Sequence, residues 1–109
     1  MSYNEALAKR VQRALSKKSG VAEKKMFGGL CYLLDGNMAA GIVGDDLLVR
    51  VGPDAYEKAL ALPHARPMDF TGRPLKGMVY VSLAGCATAA TLSKWLARGL
   101  DYAATQPPK

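Results

Sequence analysis

The sequence predicts a segregated α+β fold: a helix, a three-stranded antiparallel meander, a second helix, two strands and a third helix. Three observations lead to it. Apolar residues recur at helical spacing near both ends of the chain, and short apolar runs separated by Gly, Asn and Asp fill residues 26–51. No linker, internal repeat or low-complexity segment divides the 109 residues. One domain spanning 1–109 is therefore expected, with 104–109 as a frayed tail around Pro107-Pro108.

The first helix is expected to start at Ser2, because Ser2 and Glu5 have the capping-box spacing in which each side chain satisfies a backbone donor at a helix start. Leu7, Val11, Ala14 and Leu15 then recur at i, i+4, i+7 and i+8, while Lys9, Arg10, Arg13 and Lys17 gather on another face. Ser19-Gly20 supplies the stop. From Glu23 to Val51 the apolar runs are Met26-Phe27, Leu30–Leu34, Met38–Val43 and Leu47–Val51. Three antiparallel strands fit them, joined by turns at Asp35-Gly36-Asn37 and Gly44-Asp45-Asp46. In the third strand Leu47, Val49 and Val51 share a face that excludes Arg50. Pro53 suits the first turn of a short helix with Tyr56, Ala59 and Leu60 inward, and Pro63 ends it. Arg66–Phe70 and Met78–Leu83 read as strands around a turn at Thr71–Pro74. The last helix runs from about Thr88 to Ala103 with Leu92, Trp95, Leu96 and Leu100 inward, although Gly99 weakens it.

Half of the residues are hydrophobic and 22% are charged, a balance that supports a buried core and argues against wholesale disorder. The apolar stretches break well short of the ~20 residues that span a bilayer, and Met1–Arg10 lacks the apolar core of a signal peptide. A cytoplasmic location without membrane contact follows as the expectation. Cys31 and Cys86 are too far apart for a zinc pattern or a C-x-x-C pair and read as buried thiols. The formal charge is +6. Of the 15 Lys and Arg residues, Lys9, Arg10, Arg13, Lys17, Lys18, Lys24 and Lys25 fall in the first quarter, opposed there by Glu5 and Glu23. Such a region either attracts polyanions or serves as a solvated face.

No catalytic residue stands out, and no cofactor or metal is expected. His64 reads as a loop residue without a nucleophile or acid pair at catalytic spacing. Asp35, Asp45 and Asp46 are explained by hairpin turns. Met26-Phe27-Gly28-Gly29 lacks the Lys and Ser/Thr of a phosphate-binding loop and reads as a bend or bulge in the first strand. Arg50, Arg66, Arg73 and Lys76 come from strands or adjoining turns and are candidates for clamping an anion, with Tyr80 as a stacking surface. The alternative is that these charges are dispersed over the polar side of the sheet.

Several motifs in order also carry a resemblance. Lys25-Met26-Phe27-Gly28-Gly29, Tyr32–Gly36, Gly41-Ile42, Asp46–Val51, Phe70, Gly72-Arg73-Pro74 and Trp95 together resemble the TfoX/Sxy amino-terminal domain family over nearly the whole chain. The resemblance implies a secretion-chaperone-like fold and makes Met26, Phe27, Gly28, Gly29, Asp35, Gly36 and Gly72 structural family positions. The name-giving members regulate natural competence in bacteria and continue into a second, carboxy-terminal domain, whereas this chain resembles the first alone. The resemblance points to a bacterial protein and, with the positive charge and the absence of catalytic groups, favours a non-enzymatic regulatory module with an unknown protein or nucleic-acid partner; the basic helix face of Lys9, Arg10, Arg13 and Lys17 is its candidate partner face. A small-molecule anion binder or enzyme built on the Arg/Lys cluster is the alternative. Open sheet edges invite pairing, so a homodimer is a further expectation.

Overall fold

The computed structural model describes residues 3–26, 29–67 and 77–107. Its elements are α1 (Glu5–Leu15), β1 (Val21–Met26), β2 (Gly29–Leu34), β3 (Asn37–Val43), β4 (Asp46–Arg50), α2 (Tyr56–Leu60), β5 (Ala65–Pro67), β6 (Met78–Val81), a 3-10 helix (Leu83–Cys86) and α3 (Ala89–Ala104). The six strands form one sheet in the order β1-β2-β3-β4-β6-β5, with every neighbour antiparallel. The class is α+β, as the sequence predicts.

The meander has four strands where the sequence suggests three. The added strand is β1, which pairs with β2 from Val21↔Leu34 to Met26↔Gly29. Its middle, Glu23-Lys24-Lys25, has no apolar alternation because β1 is an edge strand, and these three residues are exposed. Met26 pairs with Gly29, so the Met26–Gly29 motif straddles the junction of β1 and β2 rather than bending one strand. Phe27 and Gly28 lie outside the described residues. The register shift in this part of the sheet falls instead between Tyr32 and Leu33.

Element ends move for identifiable reasons. The cap of α1 is Asn4, whose side chain accepts from the Leu7 N–H at 3.0 Å, and not Ser2, which lies outside the described residues. Asn4 wins because tertiary bonds fix it: its N–H donates to the Gly44 carbonyl at 2.7 Å and its Nδ2 to Asp45 at 3.1 Å. The helix closes at Leu15, ahead of the expected Ser19-Gly20 stop. Pro53 occupies a turn before α2, so that helix begins three residues later than its proline suggests. β5 is described only over Ala65–Pro67; the rest of the expected Arg66–Phe70 strand and the Thr71–Pro74 turn lie outside the described residues. Leu83 opens the 3-10 helix rather than extending β6. The tail expected to fray carries an anchor, since buried Asn37 donates through Nδ2 to the Pro107 carbonyl at 2.9 Å.

The core fills one face of the sheet. Leu30, Tyr32, Ile42, Leu47, Val49, Val79 and Val81 pack there against Leu7, Val11 and Leu15 of α1 and Leu92, Trp95, Leu96, Leu100 and Ala103 of α3. Each fully buried aliphatic side chain contributes about 1.5–3 kcal/mol. The other face carries a smaller apolar cluster of Leu48 and Tyr80, with Met38, Val43 and Met78 against it.

Gly99 explains its own presence inside a helix. A Cβ at this position would lie 2.1 Å from the Ala39 carbonyl oxygen of β3, so α3 rests on the sheet backbone to backbone. Helix propensity alone makes Gly99→Ala a stabilising change of about 1 kcal/mol. The contact reverses the sign: the variant is expected to lose about 2–3 kcal/mol, lowering Tm by roughly 10–20 °C in a thermal melt. An unchanged or raised Tm would contradict the close approach.

Candidate functional site

The amino-terminal cations divide into two groups. Burial of Leu7, Ala8, Val11 and Leu15 turns Lys9 and Arg13, one helical turn apart, to the outer crest of α1. Lys17 and Lys18 follow in the exposed connection to β1, and Lys24 and Lys25 are exposed on that edge strand. Gln12 joins helix to strand by donating to the Glu23 carboxylate at 2.7 Å. Among the described residues none of these six cations has a carboxylate within ion-pairing distance; the ion pair found there joins Arg66 to Asp46. Arg10 behaves differently. Its Nη2 donates to the carbonyls of Cys86 at 2.7 Å and Ala87 at 3.1 Å, clamping α1 to the start of α3. Periodicity places Arg10 on the polar face but gives no sign of acceptors 76 and 77 residues away.

The sheet cations are held separately. Arg50 lies over the Tyr102 ring of α3 at 5.1 Å from its centroid, and Arg66 lies over Tyr80 at 5.1 Å while both of its terminal nitrogens meet Asp46. The register Arg50↔Met78 and Arg66↔Tyr80 leaves the two arginines on β4 and β5, with β6 between them. Strand spacing and rise put their Cα atoms roughly 12 Å apart. Arg73 and Lys76 lie outside the described residues. The Tyr80 ring already carries the Arg66 guanidinium. Asp46 belongs to the first position of β4 rather than to the turn alone, which is how it reaches across the sheet to Arg66.

Several of the positions singled out by the resemblance are described. Asp35 and Gly36 both have positive φ, 50° and 85°, between the paired residues Leu34 and Asn37. Two such residues form the tight hairpin whose twist matches the flanking strands. Gly29 is buried at the start of β2, and Gly72 lies outside the described residues.

Ionisable groups in the interior are held neutral. Cys31 and Cys86 are free and buried, and burial pushes both thiols above their ordinary range. A protonated thiol is neither nucleophile nor metal ligand. The Tyr32 hydroxyl is buried without a hydrogen bond of acceptable geometry, beside a Glu23 carboxylate already engaged by Gln12. Burial first, and the Glu23 charge second, hold its pKa well above the usual tyrosine range. Among the described residues no three His, Cys, Asp or Glu side chains gather as a metal site requires, and no helix is long and apolar enough to cross a membrane.

The sequence reading does not bring His64 together with α3. The structure does, in a groove of about 470 Å³ lined by Pro63, His64, Gly85, Lys94, Trp95 and Arg98 among others.

Residues 13–103 match the family model described as the TfoX N-terminal domain, which covers most of the chain. Neither the curated proteins nor the solved structures give a match.

The division between clamped and unpaired cations is measurable. Arg10→Ala removes two charge-assisted bonds and is expected to cost about 1–2 kcal/mol in chemical denaturation. Lys9→Ala, one residue away, is expected to stay within about 0.5 kcal/mol of the parent. Equal losses in the two variants would contradict the assignment of Arg10 as an anchor.

Proposed function

The chain belongs to the TfoX N-terminal domain family, and from that premise we propose that it is a non-enzymatic regulatory domain that holds a polyanionic partner, nucleic acid in the first instance. The partner surface is the crest of α1, the connection after it and the edge strand β1. The process is of the regulatory, competence-type kind to which the family's name-giving members belong.

One observation carries this reading: Lys9, Arg13, Lys17, Lys18, Lys24 and Lys25 are exposed on α1, the connection after it and β1 and are unpaired among the described residues, Lys25 on the α1 side of the sheet opposite core-facing Leu30 and Lys24 on the other side. Unpaired surface cations can neutralise phosphates and release the counterions condensed on them, which makes association favourable and salt-dependent. Against these six cations the first quarter carries the carboxylates Glu5 and Glu23, so a positive excess remains. The family is not a known enzyme family, and the protonated thiols and the Asp45 and Asp46 bonds leave those groups engaged in structure. An anion clamp on the sheet has less support, since Arg66 is answered by Asp46 and Arg50 lies on a different strand with β6 between them.

The test is a titration of the protein into fluorescent random duplex DNA over a salt series, repeated with Lys9→Glu, Arg13→Glu and Lys17→Glu combined. If about four phosphates are contacted, affinity is expected to fall on the order of a hundredfold between 50 and 200 mM salt. The triple variant is expected to lose binding while keeping its Tm. Salt-insensitive binding, or full affinity in the triple variant, overturns the reading.

A further inference from the structure

We infer that the groove between the 62–64 loop, the 3-10 helix and α3 binds a small organic anion: a carboxylate or phosphate on a flat apolar body. This site is separate from the α1–β1 surface and shares no residue with it. Its volume, about 470 Å³, is that of an ordinary small-ligand cleft.

Chemistry selects the ligand. The cation-forming side chains of His64, Lys94 and Arg98 line the groove, and among the described residues no carboxylate does. The Lys94 ammonium and the His64 imidazole make no hydrogen bond or ion pair within the described structure, so their donors are open to a ligand oxyanion. Arg98 holds its guanidinium over the Trp95 ring at 5.5 Å from the centroid. Fixed there, the planar fork offers its outer face to a flat ring and its edge to an oxygen. Leu62, Pro63 and Ala84 supply apolar wall. Thr91, which also lines the groove, already donates its hydroxyl proton within the α3 cap, to the Thr88 carbonyl.

The backbone is arranged to hold this wall still. His64 has φ 68°, a left-handed conformation that costs a non-glycine residue about 1–2 kcal/mol. Its carbonyl is fixed by the Ser82 N–H at 3.1 Å. A Cβ at Gly85 would lie 2.7 Å from the His64 Cβ, so the 3-10 helix closes directly on the histidine and no side chain fits between them. Strain retained at an exposed residue, with a glycine opposite it, is the pattern of a pre-organised binding wall rather than of a passive loop.

The experiment is a ¹H–¹⁵N NMR titration of the full chain with 2-naphthoate, 2-naphthyl phosphate and the neutral isostere 2-naphthamide. At least one anion is expected to shift the amides of Gly85, Lys94 and Arg98 saturably, about tenfold more tightly than the amide. The tighter anion names the headgroup. Arg98→Gln is expected to weaken that anion by about tenfold; Lys94→Gln, at an exposed position whose fold is safe, by about fivefold. The triple α1 variant is expected to bind the anion as the parent does, which separates this site from the polyanion surface. Equal affinity for 2-naphthamide, shifts centred elsewhere, no shifts at millimolar ligand, or full affinity in Lys94→Gln overturns the proposal.

Discussion

The contact on which the arrangement depends is the one between Gly99 and the Ala39 carbonyl, where α3 meets β3 without a side chain between them. β3 and β4 are the central strands of the sheet, so the closest approach falls over its middle. With the axis this low, Leu92, Trp95, Leu96, Leu100 and Ala103 all reach the core from one helix. α1 packs beside it, fixed by Asn4 at Gly44, by Arg10 at the Cys86 and Ala87 carbonyls and by Gln12 at Glu23 of β1. That position turns Lys9 and Arg13 outward. On the opposite flank α3 meets the 62–64 loop and the 3-10 helix, and the His64 groove lies at that seam.

The basic character of the chain resolves into two populations with different chemistry. Arg10, Arg50 and Arg66 are each held, by carbonyls, by Tyr102, and by Asp46 and Tyr80. Arg13 and the lysines of the first quarter have no such partner among the described residues. Arg13 apart, this matches what the two side chains do best: a planar guanidinium stacks and forks, whereas an ammonium on a flexible stem remains hydrated. Net charge alone overstates the surface available to a partner, because the clamped arginines serve the fold first.

What the sequence makes legible is what local rules control. The positive-φ pair Asp35-Gly36, the inward residues of α3 and the apolar runs of β2, β3 and β4 follow from turn chemistry and periodicity. β1 escapes because an exposed edge strand needs no apolar face, so Glu23-Lys24-Lys25 looks like a loop until its pairing with β2 is seen. Ser2 and Asn4 are equally good caps by residue type, and only the bonds to Gly44 and Asp45 decide between them. Arg10, Arg66 and the His64 groove depend on residues brought together from distant segments. A one-dimensional pattern contains the charges but not their partners. The TfoX/Sxy resemblance, in contrast, is spread over ordered motifs along the chain, and the family match over residues 13–103 agrees with it.

The central claim is that polyanions meet the α1–β1 surface and not the clamped cations. Its most direct measurement is a map of backbone amide shifts, taken while a short random DNA duplex is added at low salt. The account predicts shifts concentrated at residues 9–18 and 22–26, with the amides around Arg50 and Arg66 unmoved. Shifts centred on β4, β5 and β6 with α1 silent would contradict it.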